Sequence, residues 1–370
     1  MDRLPCTGDA KPESMLVVLP TWVGDCVMAT PALRELRRRF SRTRITFLLE
    51  PNLVDLVRDG NWMDDYAVWP PKSQRGPLHR PYRRLVRDLR RRRPEWALML
   101  PNSFRAALLG WLSGARRRIG YDRDGRGWLL TDRLPVRNRV NRLYVPMPMV
   151  EYYADLAEAV GCDRPGDELE LFTTTEAESA VQKRLAGEAL AEGPLVVICP
   201  GARYGMAKCW LPERFAAVAD RLIEAEGAQV VVTCGPGEEP LAQAIRAAMR
   251  RGGRVWDDPR PTLGELKALV KRADLLLGND TGPRHFARAF STPAVTVFGP
   301  TDPEWTRTGY AQERIVRVDV DCGPCQQRTC PLGHLRCMYE VTVDMVFDAA
   351  IELLRLRTRQ KETSTVGPFK

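Results

Sequence analysis

The sequence contains no long hydrophobic run. Its best apolar stretch, Met15 to Val23, is far shorter than the roughly 18 uncharged apolar residues that a membrane-spanning helix needs. Residues 1–14 carry Asp2, Asp9 and Glu13 and have no apolar core, so they are not expected to form a signal peptide. These absences predict a cytoplasmic protein.

Internal repeats of 20–50 residues and the biased compositions of fibrous or disordered chains are also missing. Hydrophobic residues make up 44% and charged residues 28% of the 370 positions, as is typical of globular proteins. Because a domain usually contains roughly 100–200 residues, the length predicts two domains.

The net charge of +9 is concentrated in one part of the chain. Residues 71–142 hold 20 Lys and Arg and only 5 Asp and Glu, whereas residues 171–370 hold 26 and 25. Arginine predominates, and its guanidinium group binds phosphate or carboxylate through two hydrogen bonds. The pattern indicates an anionic partner: nucleic acid, a membrane surface or a phosphorylated substrate. A run such as Arg90 to Arg93 is alternatively a solvated surface.

Ten cysteines are many for a chain in a reducing compartment. Six are scattered along the chain and are expected to act as small apolar side chains. The other four follow the pattern Cys322-x2-Cys325-x4-Cys330-x6-Cys337, with His334 among them. This spacing is compatible with zinc or an iron–sulfur centre, and the alternatives are a redox-labile pair and a packed thiol cluster.

Short apolar segments that suit buried strands alternate with amphipathic segments that suit helices. The series runs twice, from Met15 and again from Leu195, with a connecting helix from Thr173 to Gly193. It predicts an α/β fold of two Rossmann-like, doubly wound domains that face a central cleft. The expected parts are a disordered tail over 1–14, domains over 15–175 and 176–340, a helix over 341–357 that packs back on the first domain, and a frayed tail over 358–370.

Three motifs directly follow predicted strands, where open α/β sheets bind ligands. In the first motif, Gly24 and Asp25 place a carboxylate at a turn, and Asp25 is either a general base or a helix N-cap. The second motif, Gly201 to Trp210, contains Arg203 and Lys208 and suits a phosphate group. Lys208 is alternatively a solvated loop lysine.

The third motif runs from Gly278 to His285 and reads GNDTGPRH. Its backbone N–H groups and the positive end of the following helix suit a diphosphate. Asp280 has the wrong charge for a phosphate, so we expect it to bind sugar hydroxyls. His285 either donates to a phosphate oxygen or is a buried core histidine.

Together these segments resemble the ADP-heptose:lipopolysaccharide heptosyltransferases, a family of glycosyltransferases with the GT-B fold. The matching stretches are PTWVGDCVMATPAL, GARYGMAKCW and NDTGPRHFARAFSTPAVTVFGPTDP. The segment CGPCQQRTCPLGHLRCM resembles the heptosyltransferase II branch of the family. The resemblance covers residues 15–350.

The resemblance implies an inverting, metal-independent transferase that uses no cofactor. It would move heptose from ADP-heptose to the Kdo–lipid A core of lipopolysaccharide, onto an acceptor that bears a first heptose. Asp25 would be the general base, and Lys208 would bind the donor phosphates and stabilise the leaving diphosphate. The residues implied to bind the donor follow strands of the second domain: Gly201, Arg203, Tyr204, Lys208, Glu239, Asp280, Thr281, Gly282 and His285.

The basic first domain is expected to bind the anionic acceptor near Gly24, Arg90 and Arg116. We expect a peripheral monomer on the cytoplasmic face of the inner membrane.

Two other interpretations remain: a different GT-B sugar-nucleotide enzyme, such as another glycosyltransferase or an epimerase, and an Arg-rich nucleic-acid-binding protein. The sequence has neither a helix-turn-helix motif nor the aromatic pattern of RNA-binding proteins, so we expect no nucleic-acid partner. The Asp319-Val-Asp321 match to the D-x-D pattern of metal-dependent transferases is short enough to arise by chance.

Overall fold

The computed structural model describes residues 11–140, 143–187 and 193–365. These residues form two compact units. The first unit contains the described residues up to Phe172 together with Glu304–Thr306, and the second contains Thr173–Pro303 and the described residues from Arg307 onward. Within the described ranges, no helix is long and apolar enough to cross a membrane.

The first unit is built on a parallel sheet of six strands. The strands are β1 (Ser14–Val18), β2 (Arg44–Leu49), β3 (Asp65–Val68), β4 (Trp96–Met99), β5 (Arg117–Tyr121) and β6 (Asp132–Leu134), in the spatial order β3-β2-β1-β4-β5-β6. Two further short strands, β7 (Arg139–Val140) and β8 (Leu143–Tyr144), pair antiparallel. The helices of this unit are α1 (Val23–Met28), α2 (Thr30–Arg39), α3 (Val54–Val57), α4 (Arg80–Arg91), α5 (Phe104–Leu112) and α6 (Met149–Ala159).

The second unit repeats this architecture. Its strands are β9 (Leu195–Cys199), β10 (Gln229–Thr233), β11 (Arg254–Trp256), β12 (Leu275–Asn279), β13 (Ala294–Val297) and β14 (Glu313–Val316), in the order β11-β10-β9-β12-β13-β14. Its helices are α7 (Thr175–Gly187), α8 (Pro212–Glu226), α9 (Glu239–Ala248), α10 (Leu263–Arg272), α11 (Gly282–Ala289), α12 (Arg336–Tyr339) and α13 (Val343–Thr365).

Local sequence explains why the central strands and the main helices form. β9 has every residue buried, as expected for a parallel strand covered by helices on both faces. α8 begins with Pro212 in its first turn and ends at Gly227, whose φ of +62° suits a glycine at a helix C-terminus. α10 begins with a capping box between Thr262 and Glu265. The predicted α/β class with two Rossmann-like, doubly wound sheets is confirmed.

The strand order places the motifs at equivalent positions in both sheets. In each sheet the order reverses between two neighbouring central strands, β1 and β4 in the first unit and β9 and β12 in the second. The connections leave such neighbours towards opposite faces, which opens a crevice outside their carboxyl ends. The Asp25 motif follows β1, the Lys208 motif follows β9, and the Asp280 motif follows β12.

The C-terminal helix belongs to the second unit. We expected the segment 341–357 to pack on the first domain, but α13 packs on α8 and β13. Val346, Ala350 and Leu353 are buried in the core of the second unit. Their spacing of three and four residues forms an apolar stripe that matches this core, which explains the difference.

The two expected tails are shorter than predicted where the structure describes them. Residues 11–14 are ordered, because Glu13 N donates to Glu95 Oε2 at 3.0 Å and the strand β1 begins at Ser14. At the other end, α13 continues to Thr365. Residues 1–10 and 366–370, which the predicted tails include, lie outside the described residues.

Candidate active site

An ion pair between Lys208 and Asp280 lies at the carboxyl ends of β9 and β12. Lys208 ends a short 3-10 turn in the loop after β9, and Asp280 directly follows β12. Lys208 Nζ contacts Asp280 Oδ2 and also donates to the Asp280 carbonyl oxygen at 3.3 Å. The two side chains are only 11% and 6% exposed. The alternative of a solvated loop lysine is therefore excluded for Lys208.

Asp280 has further hydrogen-bond partners within the second unit, and one of them is paired with another buried charge. Arg284 Nη1 donates to Asp280 Oδ1 at 3.3 Å, while Arg284 Nε and Nη2 donate to the two Glu313 oxygens at 2.8 and 2.9 Å. Thr301 Oγ1 donates to Asp280 Oδ2 at 3.0 Å. Buried charges are costly unless they are paired and hydrogen-bonded, and here each one has an opposite partner. Both oxygens of Asp280 already accept from the protein itself, so any sugar hydroxyl shares the carboxylate with these donors.

These contacts determine the protonation states of the site. Burial by itself raises the pKa of Asp280, but the charges of Lys208 and Arg284 outweigh it and lower the pKa below its ordinary value. Burial and the neighbouring Arg284 charge lower the pKa of His285 to about 3. Asp280 is therefore ionised and His285 is a neutral imidazole at physiological pH.

Asn279 holds the two ends of the Lys208 loop together. Its side chain is buried, and Nδ2 donates to the Pro200 carbonyl oxygen at 2.5 Å. Its Oδ1 accepts from Trp210 N at 3.1 Å. Asn279 lies in the GNDTGPRH motif, but its role was not predictable from that motif because its partners lie about 70–80 residues earlier in the chain.

Arg284 and Glu313 were also missed. Arg284 lies four residues after Asp280, which is one helical turn. This spacing was the signal in the sequence that could have predicted their contact. Glu313 lies 29 residues from Arg284 at the start of β14, and no local pattern indicates that contact.

The remaining predicted donor residues lie in the same loops, with different contacts. Tyr204 lies beside the ammonium group, with Lys208 Nζ 4.9 Å from its ring centroid, while the Arg203 side chain is exposed. Thr281 is the N-cap of α11 and Gly282 its first residue, both half-buried, at the positive end of the helix. The structure thus brings these residues together around Lys208 and Asp280.

Glu238 is the N-cap of α9, at the end of the loop after β10, and Glu239 is the first residue of this helix. A Cβ atom on Gly201 would lie 1.8 Å from Glu238 Oε2, so a larger residue at this position would require the Glu238 side chain to move. Glu238 Oε2 also accepts from Gly235 N at 2.8 Å. Glu239, the predicted ribose ligand, is half-exposed and paired with Arg260.

In the first unit, Asp25 lies in the first turn of α1. The N-cap of this helix is Trp22, so the alternative of an N-cap aspartate is wrong. Asp25 is half-buried, and the positive end of α1 favours its charge. Burial and then the Asp25 charge raise the pKa of Tyr153, which places the carboxylate beside this buried phenol of α6.

Arg90 and Arg116 do not lie near Asp25 within the first unit. Arg116 immediately precedes β5, and Arg90 is at the end of α4, where its Nε donates to the Leu112 carbonyl oxygen at 2.7 Å. Both therefore lie at the amino-terminal edge of the sheet, whereas Gly24 and Asp25 follow the carboxyl end of β1. The structure brings Gly24, but neither arginine, together with Asp25.

The D-x-D match has ordinary surface contacts. Asp319 Oδ1 accepts from Arg317 Nη2 at 2.5 Å, and Asp321 Oδ2 is 3.6 Å from Arg336 Nη1. Both aspartates are almost fully exposed, at 89% and 88%.

Comparison with known proteins identifies the family of the chain. Residues 82–336 match the family described as glycosyltransferase family 9 (heptosyltransferase). Lipopolysaccharide heptosyltransferase 2 of Salmonella typhimurium is 27% identical over 350 residues, which cover 92% of this chain and 98% of that protein.

Two solved structures share the fold. The structure of E. coli ADP-heptose lipopolysaccharide heptosyltransferase II has a TM-score of 0.74 and 24% identity, and the match covers 93% of this chain and 99% of that one. E. coli heptosyltransferase WaaC with ADP-2-deoxy-2-fluoro heptose has a TM-score of 0.66 and 17% identity, with coverages of 90% and 98%.

Proposed function

Because the chain belongs to glycosyltransferase family 9, the heptosyltransferase family, we propose that it transfers L-glycero-D-manno-heptose from ADP-heptose to the inner core of lipopolysaccharide. The acceptor is Kdo–lipid A that already bears a first heptose, as the similarity to heptosyltransferases 2 supports. The observation that carries the proposal is the Lys208 ammonium group, held by Asp280 beside the N-terminus of α11.

This arrangement suits a nucleotide diphosphate. A lysine ammonium and the positive end of a helix both favour phosphate oxygens, and Gly201 allows the backbone to approach closely. Lys208 and the N-terminus of α11 at Thr281 and Gly282 bind the diphosphate, with Arg203, Tyr204 and the neutral His285 next to it. Glu239 binds the ribose, and Asp280 orients Lys208 and contributes to heptose binding.

In the proposed mechanism the acceptor hydroxyl attacks the anomeric carbon of heptose from the face opposite ADP, which inverts the configuration. The bond from this carbon to the β-phosphate oxygen breaks, and ADP leaves with both electrons of that bond. Asp25 accepts the hydroxyl proton as general base. Lys208 stabilises the negative charge that grows on the leaving phosphate, so no metal ion is required for the transfer.

We assign the donor to residues 176–340 and the acceptor to residues 15–175, near Gly24. The excess of arginine over 71–142 supports an acceptor that carries phosphates and carboxylates. It also supports peripheral attachment of a monomer to the anionic cytoplasmic face of the inner membrane.

Incubation of the purified protein with ADP-heptose tests the proposal. With Kdo–lipid A bearing one heptose, we expect ADP release and a product heavier by one heptose, measured by mass spectrometry. Kdo–lipid A without heptose is the matched control acceptor and should react poorly. Equal turnover of ADP-heptose without any acceptor would indicate a different sugar-nucleotide enzyme and contradict the proposal.

A further inference from the structure

Four cysteines that the proposed reaction does not use line one small cavity in the second unit. Its volume is about 20 Å³, which is room for one water-sized particle. The four cysteines of the sequence pattern all contribute to its wall, as does His334. The rest of the wall is mainly apolar, with Ala207, Pro300, Val320 and Leu335.

All four cysteines line the same small cavity, so their thiols lie close together. Several thiolates so close together repel each other unless a cation neutralises them, and a thiol that coordinates a metal is fully deprotonated.

The turn after Cys330 is shaped to hold a thiolate. Backbone hydrogen bonds reach the Cys330 side chain from Leu335, Leu332, Gly333 and His334. The chain folds back around the sulfur at Gly333, with φ of +72°, and at Leu335, with φ of +47°. A positive φ is unfavourable for leucine, so it indicates that the turn is held in place by its surroundings.

We propose that Cys322, Cys325, Cys330 and Cys337 together bind one thiophilic divalent cation, Zn²⁺ or Fe²⁺. Four sulfur ligands satisfy the tetrahedral geometry that both ions adopt with thiolates. Two residues separate Cys322 from Cys325, and six separate Cys330 from Cys337. Each of these two pairs forms one side of the proposed site. His334 is not needed as a ligand, and its Nδ1 already accepts from Arg336 N at 3.1 Å.

Metal binding requires the four thiols to rearrange within the cavity. Among the described residues, no group of three or more His, Cys, Asp or Glu side chains already has the arrangement of a metal site. Cys322 is exposed and Cys325 is half-buried, so both can rotate without disturbing a packed core. Binding is thus coupled to ordering of the loop from Cys322 to Cys337, as in other small metal sites.

This loop supports the Lys208 loop directly. Ala207 N donates to the Arg328 carbonyl oxygen at 3.2 Å, and Tyr204 Oη donates to the Gln326 carbonyl oxygen at 2.6 Å. A Cβ on Gly205 would lie 2.4 Å from the Arg328 carbonyl oxygen, so the two loops are in close contact. A bound cation would therefore stiffen the loop that carries Lys208, a consequence that rests on the proposed function.

The metal content of the full chain tests the site independently of any transferase activity. The protein is purified without chelators under reducing conditions, incubated with Zn²⁺ or Fe²⁺ alone, desalted and measured by elemental mass spectrometry. We expect about one equivalent of metal per chain. The same measurement identifies the bound element and so distinguishes iron from zinc.

The double variant Cys325→Ser/Cys330→Ser should bind roughly tenfold less metal than wild type, or even less. The serine hydroxyl oxygens that replace two of the thiolates hold these cations far less well. Cys162→Ser, at a buried cysteine of the first unit, is the matched control and should keep it. If the double variant does not fold, Cys322→Ser at the exposed position is measured instead. Wild-type protein that takes up neither ion, or a cluster variant that keeps the full equivalent, overturns the site.

Removal of the cation should raise the KM for ADP-heptose several-fold and change kcat less, because the loop is loosened while Lys208 remains. An unchanged KM would overturn the coupling to the Lys208 loop. Absence of any transfer in both forms would count against the proposed function, and the metal measurement would still decide the site.

Discussion

Lys208 Nζ lies against Asp280 Oδ2, although the two residues are 72 positions apart in the chain. Asp280 is in turn held by Arg284 and Thr301, so the ammonium group is fixed by a chain of buried partners. In the proposed function, a lysine held in this way is already oriented before the donor binds, which limits the entropy lost when the diphosphate is bound.

Replacement of Lys208 tests its role at the diphosphate. Lys208→Ala should raise the KM for ADP-heptose and lower kcat by roughly a hundredfold or more, because the charge it meets exists in the ground state and grows in the transition state. Steady-state kinetics with varied ADP-heptose measure both effects. Lys271→Ala, at an exposed lysine of α10, is the control and should behave as wild type. A Lys208→Ala variant with normal kcat would contradict the assignment.

Replacement of Asp25 separates the base from donor binding. Asp25→Asn should lower kcat by roughly a hundredfold or more, because the amide cannot accept the hydroxyl proton. The affinity for ADP, measured by calorimetry, should remain close to that of wild type. Asp55→Asn, in the first turn of helix α3 of the same unit, is the matched control and should behave as wild type. Near-normal turnover in Asp25→Asn would rule out its role as the base.

Asn279 is expected to act by positioning the Lys208 loop. Asn279→Ala leaves the Pro200 carbonyl group and the Trp210 N–H without their partner, so it should lower the free energy of unfolding by about 1–3 kcal/mol. The KM for ADP-heptose should rise several-fold with a smaller change in kcat. Urea unfolding and kinetics are compared with those of Asn52→Ala, an exposed residue of the first unit. Lower stability with an unchanged KM would mean that the side chain is structural only.

His285 should make stability depend on pH. Burial lowers its pKa to about 3 in the folded chain, against 6.5 for an ordinary histidine. Between these values the unfolded chain binds a proton that the folded chain does not, so stability falls as the pH drops from 6.5 towards 3. The slope contributed by this residue is at most about 1.4 kcal/mol per pH unit.

Urea unfolding between pH 7 and pH 4.5 measures this slope. His285→Gln should reduce it, and His79→Gln, at an exposed histidine, should leave it as in wild type. Equal slopes in wild type and His285→Gln would show that folding does not lower the pKa of His285.

Arg116 tests the position of the acceptor. Because it lies at the amino-terminal edge of the first sheet, Arg116→Ala should leave the KM for the lipopolysaccharide acceptor within about twofold of wild type. Gly24→Val, at the start of α1 beside Asp25, should raise this KM or abolish turnover. Circular dichroism confirms that both variants are folded. A large increase in KM for Arg116→Ala would restore the original prediction that this arginine binds the acceptor.

The central strands were predictable because they are short, continuous apolar segments. β1, β2, β9, β10, β12 and β13 have this pattern, since helices cover both faces of a central parallel strand. The edge strands β3, β6, β11 and β14 were not predicted. They keep polar and half-exposed residues such as Asp65 and Glu313, so their sequences do not differ from those of loops.

The candidate site was predictable only in part. Lys208, Asp280 and Asp25 directly follow predicted strands, and that position in the chain was enough to select them. Their partners were not predictable in the same way. Asn279 joins two segments that are far away in the chain, and Arg284 reaches Glu313 across 29 residues.

Local patterning along the chain was thus sufficient for the α/β class, the two doubly wound sheets and the loops that carry the reactive groups. Tertiary packing was needed to establish that Asp280 holds Lys208, that His285 is neutral, and that α13 completes the second unit. The physical reason is the distance along the chain over which each effect acts. The spacing of apolar residues acts over a few positions, whereas burial and charge pairing depend on which distant segments meet in the folded chain.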